Sequence, residues 1–82
     1  MKKNCVDLES LFTTVGNKLY VLRHIKREKI ACVADELDIS PAVISKVENG
    51  RYKGLSLELL AKLADYYEVP LEELLLNPPK PN

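Results

Sequence analysis

The sequence predicts an all-α fold, a compact bundle of four or five helices built around a helix-turn-helix, and three observations lead there. Apolar residues recur at i, i+3, i+4 and i+7 in several stretches. Residues that start and stop helices stand at the ends of those stretches. No segment alternates apolar and polar with period two, so no sheet is expected.

Residues 1–6 read as a tail. Asp7 is placed to cap a helix, and Leu8, Leu11, Phe12, Val15, Leu19 and Leu22, with Val21 and Ile25 beside them, keep a helical rhythm as far as Lys26. Gly16 interrupts it, and a glycine inside a helix costs about 1 kcal/mol relative to alanine. The preferred reading is therefore a short leader helix followed by a second helix starting near Gly16. Lys26–Lys29 is a basic run around Glu28.

Ile30, Val33, Ala34 and Leu37 place one apolar stripe on the next helix. Asp38 follows where the chain must bend, and aspartate enters the left-handed region at low cost. Ser40 stands at an N-cap with Pro41 at the first helical position, and Ile39 and Ile44 have the spacing of a hydrophobic staple. On the helix from Pro41, Ile44 and Val47 turn inward, whereas Ala42, Ser45, Lys46 and Asn49 project from the other face. Asn49-Gly50 supplies a left-handed stop. After the loop 51–55, Ser56 caps a helix with Leu60, Leu63, Ala64 and Tyr67 on one face and Glu58 in the first turn. Val69-Pro70 breaks it, and Leu71, Leu74 and Leu75 form a last short helix before the proline-rich tail 77–82. The expected organisation is a tail and leader over 1–15, one helix-turn-helix domain over 16–76 and that tail.

Eighty-two residues with 46% apolar content support one modest core. Twelve basic and twelve acidic residues cancel, so bulk charge does not point to nucleic acid. Their distribution is uneven. Residues 15–54 hold eight Lys or Arg against five acids, net +3, and residues 55–82 hold two against five, net −3. Cys5 and Cys32 form neither a disulfide framework nor a metal set, and His24 has no partner at ligand spacing, so no metal or cofactor is expected. Cys32 reads as a buried or incidental thiol. With no Ser, His or Cys constellation, no paired catalytic carboxylates and no phosphate loop, an enzyme is the weakest reading. No long apolar run or targeting segment is present, which points to a soluble cytoplasmic protein.

Several of these stretches together resemble a family. They are Gly16-Asn17-Lys18-Leu19 with Arg23, Val33–Ser40, Ile44-Ser45-Lys46-Val47-Glu48-Asn49-Gly50, and Ser56-Leu57-Glu58 through Val69-Pro70-Leu71-Glu72-Glu73-Leu74. Over residues 16–75 the chain is similar to the XRE family of lambda-repressor-like helix-turn-helix proteins. The resemblance implies a five-helix DNA-binding domain, a homodimer on an inverted repeat, and Pro41–Asn49 as the recognition helix in the major groove. Pro41, Ala42, Val43, Ser45 and Lys46 match base-facing positions. The first three offer only apolar contact, best suited to thymine methyl groups, which leaves Ser45 and Lys46 as hydrogen-bonding readers. Ile30 stands where relatives usually carry a glutamine that touches the sugar-phosphate backbone. Lys29, the backbone N–H groups at that helix start, Asn49, Arg51, Tyr52 and Lys53 are the available substitutes. About three or four phosphates per protomer would give a dimer a log-log salt slope of roughly −6. The bland alternative for these charges is a solvated surface, and for Tyr52 it is packing against the domain.

Arg23 and Glu48 match a family ion pair between the first and recognition helices, so their expected role is structural. Leu74-Leu75-Leu76 cannot all face one small core. Leu75 and Leu76, with Leu11, Phe12 and Tyr66, are the candidates for an isologous dimer contact. The functional expectation is a sequence-specific double-stranded DNA-binding protein, a homodimeric transcriptional regulator of a prokaryotic or phage operon, of repressor, controller or antitoxin type. With no room for a ligand-sensing domain, control would come from concentration, a partner protein or proteolysis. The alternative is a protein-binding module that kept the fold without specific DNA binding, and the apolar helix start and zero net charge favour it.

Overall fold

The structure, a computed structural model, describes residues 7–75. Five helices follow one another: α1 (Leu8–Ile25), α2 (Ile30–Leu37), α3 (Pro41–Glu48), α4 (Leu57–Tyr67) and α5 (Leu71–Leu75). No strand occurs among the described residues. The expected tails at 1–6 and 77–82, and Leu76, lie outside the described residues.

Local chemistry accounts for most of the boundaries. The Asp7 carboxylate accepts from the Glu9 and Ser10 amides and starts α1. Ser40 Oγ accepts from the Ala42 amide at 3.1 Å, with Pro41 in the first turn of α3. Ser56 Oγ accepts from the Leu59 amide at 3.1 Å at the start of α4. Each such cap satisfies a backbone donor that the helix itself leaves unpaired, worth about 1 kcal/mol. Asp38 ends α2 in the left-handed region (φ 58°, ψ 46°), and Glu68 ends α4 in the same way (φ 60°, ψ 43°).

The apolar stripes converge on one core. Val15, Leu19, Val33, Ala34, Ile44, Val47, Leu60, Leu63, Ala64, Tyr67 and Leu74 are buried, so all five helices contribute to it. Helix α1 packs on α3, α4 and α5, and α2 packs on α3. The shape of α3 depends on this, because α3 is only eight residues long and too short to hold its shape without tertiary support.

Gly16 corrects the expected break. Helix α1 runs without interruption through it for 18 residues, so the anticipated division between leader and domain falls inside one helix. The physical reason is close approach. A Cβ at position 16 would sit 2.5 Å from the Val47 carbonyl oxygen and 2.6 Å from that of Glu48. The glycine lets the C-terminal end of α3 come up against α1 backbone to backbone, and the weak helix propensity is offset by eighteen residues of otherwise well-packed helix.

Of the two expectations for Cys32, a buried or an incidental thiol, the first fails. The residue lies exposed on the outer side of α2, one position round from the buried Val33, so the buried alternative is excluded.

Candidate nucleic-acid interface

Helix α3 is held by its inner face and presents the other. Ile44 and Val47 are buried in the core, and Glu48 is 9% exposed. Pro41, Ala42, Lys46 and Asn49 are exposed, while Val43 and Ser45 are half-buried. Val43 packs against the edge of the core. The outward face is therefore small at its start, with the Lys46 ammonium and the Ser45 hydroxyl one turn further on. Asn49 Nδ2 donates to the Ser45 carbonyl at 2.9 Å, which ties that amide back onto its own helix.

The chain leaves α3 through Gly50, whose φ of 71° suits a residue without a side chain. The Arg51 amide donates to the Lys46 carbonyl at 2.9 Å, closing the last turn. Arg51 and Lys53 then stand exposed just past the helix end. Tyr52 between them is half-buried against the core, with its ring over Gly54. Leu8, Phe12 and Thr13 of α1 face Asn49, Arg51 and Lys53 across an open groove of about 680 Å³.

At the other end of the motif, Lys29 is exposed and extended (φ −88°, ψ 154°), and no side chain caps α2. Such a helix start presents backbone N–H groups and a favourable dipole to an anion. Ile30 is half-buried and packs on the core, as an apolar residue at this position should.

Arg23 and Glu48 fix the relation between α1 and α3. Arg23 Nε donates to Glu48 Oε2 at 2.7 Å and Nη2 to Oε1 at 3.0 Å, a two-pronged contact with both side chains nearly closed to solvent. The hydrogen bond to Glu48 raises the Arg23 pKa above its usual value against the opposing effect of burial. A carboxylate at the last residue of a helix is disfavoured by the dipole, and the guanidinium offsets it. The third guanidinium nitrogen, Nη1, donates to the Glu28 carbonyl at 3.0 Å, so the same side chain also anchors the loop between α1 and α2.

That loop has a second anchor which sequence reasoning missed. Arg27 adopts φ 59°, and the Tyr66 hydroxyl of α4 donates to Glu28 Oε1. The hydrogen bond to Glu28 pushes the Tyr66 hydroxyl well above the usual tyrosine range. Lys26 Nζ lies 5.9 Å from the centre of the Tyr66 ring. Tyr66 is thereby engaged within its own chain. Leu11, Phe12 and Leu75 do come together, around a groove of about 170 Å³ between α1 and α4. Thirty-eight residues separate Glu28 from Tyr66, and no local pattern marks such a pair.

Among the described residues no cluster of three His, Cys, Asp or Glu could hold a metal ion, and no helix is long and apolar enough to cross a membrane. The His24 ring packs against that of Tyr20 at a tilt of 48°, with centres 4.2 Å apart.

Comparison with known structures finds the same architecture elsewhere. A hypothetical transcription factor, NHTF, from Neisseria superposes with a TM-score of 0.78 at 22% identity, over 95% of this chain and 88% of that one, a likeness of fold. The DNA-binding domain of BldD matches with a TM-score of 0.72 at 27% identity, over 83% of this chain and 97% of the other. The S. venezulae BldD DNA-binding domain matches at 0.70 and 28% identity, over 82% and 99%. A search of curated protein sequences finds no match. The helix-turn-helix family model matches residues 33–74, just over half of the chain, from the middle of α2 to α5. With the matched segment containing the turn and the whole of α3, α4 and α5, the chain belongs to the XRE family of helix-turn-helix proteins.

Proposed function

We propose that this protein is a sequence-specific double-stranded DNA-binding regulator of transcription that acts as a homodimer on an inverted repeat. The observation that carries the reading is the orientation of α3, with Ile44, Val47 and Glu48 buried and Pro41, Ala42 and Lys46 turned out to solvent. The family and the DNA-binding domains of BldD among its structural neighbours support it. In this reading α3 lies in the major groove. Pro41, Ala42 and Val43 meet thymine methyl groups, and Ser45 and Lys46 hydrogen-bond to base edges. Lys29, the open start of α2, Asn49, Arg51 and Lys53 flank α3 and meet phosphates.

The test is selection of bound duplexes from a random library, followed by titration of the selected site across a salt series. An inverted repeat with half-sites about one turn (~10 bp) apart is expected, and a log-log salt slope of roughly −6 for the dimer. Lys46→Ala should lose about 1–3 kcal/mol and relax preference at one base. The apolar start of α3 favours a second reading, a protein-binding module. Sequence-blind or salt-insensitive binding, or none, would select that module instead.

A further inference from the structure

The turn between α1 and α2 is held from its inner side. It closes α1 as a left-handed stop: the Arg27 amide donates to the His24 carbonyl at 3.0 Å and the Glu28 amide to the Arg23 carbonyl at 3.1 Å, with Arg27 at φ 59°. Glu28 is then pinned twice. Its carbonyl accepts from Arg23 Nη1 at 3.0 Å, and its carboxylate accepts from the Tyr66 hydroxyl of α4. With Glu28 turned inward, its neighbours Arg27 and Lys29 stand exposed on either side of it. The other basic groups nearby are engaged, Arg23 with Glu48 and Lys26 over the Tyr66 ring. Among the described residues the Arg27 guanidinium has no hydrogen bond or ion pair.

We propose that Arg27 is a further ligand for a DNA phosphate, and that Tyr66 is the positioning residue that aims it through Glu28. The first support is location. The guanidinium of Arg23 that grips the Glu48 carboxylate on α3 also grips the turn, so the place of the turn is fixed relative to the outward face of α3. The second is charge. Arg27 sets an unpaired cation two residues before Lys29 and the uncapped start of α2, where an anion is already favoured. A planar guanidinium can meet two oxygens of one phosphate, which an ammonium cannot do in the same way. The third is the pin itself. A cation on a turn tied at two points loses less freedom on binding than one on a loose loop. A left-handed stop suits glycine, so the arginine is held there against a backbone preference. Glu68 ends α4 under the same strain with an acid, so the strain alone marks no contact; the charge and the place of Arg27 do.

This rests on the DNA-binding part of the proposed function and not on the dimer. The experiment titrates the full chain with the duplex selected from a random library, from about 0.05 to 1 M salt, for wild type, Arg27→Gly, Tyr66→Phe and the double variant, with a thermal melt of each. Arg27→Gly removes the cation and relieves the backbone, which separates binding from folding. It should melt about 4 °C above wild type. It should nevertheless bind about tenfold more weakly per protomer at ~0.1 M salt, with a log-log slope shallower by about 0.9 per protomer. Tyr66→Phe keeps the ring and loses the hydroxyl, and in that background the cost of Arg27→Gly should shrink to about twofold. Wild-type affinity and slope in Arg27→Gly would overturn the contact, as would weaker binding that tracks a lower melting temperature. An equal cost in both backgrounds would overturn the aiming by Tyr66. Wild type that binds its duplex while Arg27→Gly changes nothing refutes this inference and spares the regulator reading. Sequence-blind binding that still loses the 0.9 unit refutes the regulator and keeps the contact, and wild type that binds no duplex sinks both.

Discussion

Replacing Gly16 by alanine sets two physical effects of opposite sign against each other. In an ordinary helix interior the change stabilises by up to about 1 kcal/mol, because alanine loses less backbone freedom on folding. Here the new Cβ would lie 2.5 Å and 2.6 Å from the Val47 and Glu48 carbonyl oxygens and 2.9 Å from the Glu48 carbonyl carbon. These are backbone atoms at the end of α3 and cannot turn aside as a side chain would. Relief requires α1 and α3 to separate by several tenths of an ångström, which stretches the buried contact between Arg23 and Glu48 and opens the packing around Val15 and Leu19. Overpacking of this kind costs about 1–3 kcal/mol, occasionally more, and wins over the propensity gain. The expected net loss is about 1–2 kcal/mol, or roughly 4–15 °C in melting temperature for a domain of this size. Thermal and urea unfolding followed by circular dichroism at 222 nm would measure it. An alanine variant that melts at or above the wild-type temperature would refute the argument and return Gly16 to the status of a tolerated helix glycine.

Other predictions follow the buried charges and the tyrosines. Arg23→Ala leaves the Glu48 carboxylate buried without its partner and should cost about 3–5 kcal/mol. DNA binding should fall with the folded fraction; a fully folded variant that loses only phosphate contacts would assign Arg23 to the interface instead. Arg23→Lys should recover little, since an ammonium cannot meet both Glu48 oxygens and the Glu28 carbonyl in one plane. Burial pushes the Tyr67 hydroxyl from 10.0 up to about 12. The folded state then holds that proton more tightly than the unfolded chain, so its contribution is complete below pH 10 and is lost as pH rises toward 12. Melting temperatures recorded between pH 9 and 12 should fall, and Tyr67→Phe should flatten that part of the decline.

Much of the fold was legible because its determinants are local. Asp7, Ser40 and Ser56 bond to amides two or three residues away, and Asp38 ends α2 by its own backbone preference, so a linear reading places all four correctly. The outward face of α3 was legible for a related reason. Helical periodicity alone puts Ile44 and Val47 opposite Ala42 and Lys46 once one side is known to be apolar. The closeness of Arg23 to Glu48 came from resemblance, since twenty-five residues separate them and no spacing rule links two helices.

What the amino-acid order determined by itself is therefore the helices from α2 to α5, the caps at Asp7, Ser40 and Ser56 and the sides the helices bury, each resting on contacts within about one turn of chain. Only the tertiary structure decided that Gly16 sits inside a continuous helix against the end of α3 and that Tyr66 holds Glu28. These depend on how closely and at what angle separate helices meet, which is settled by the packing of the whole core and has no local signature along the chain.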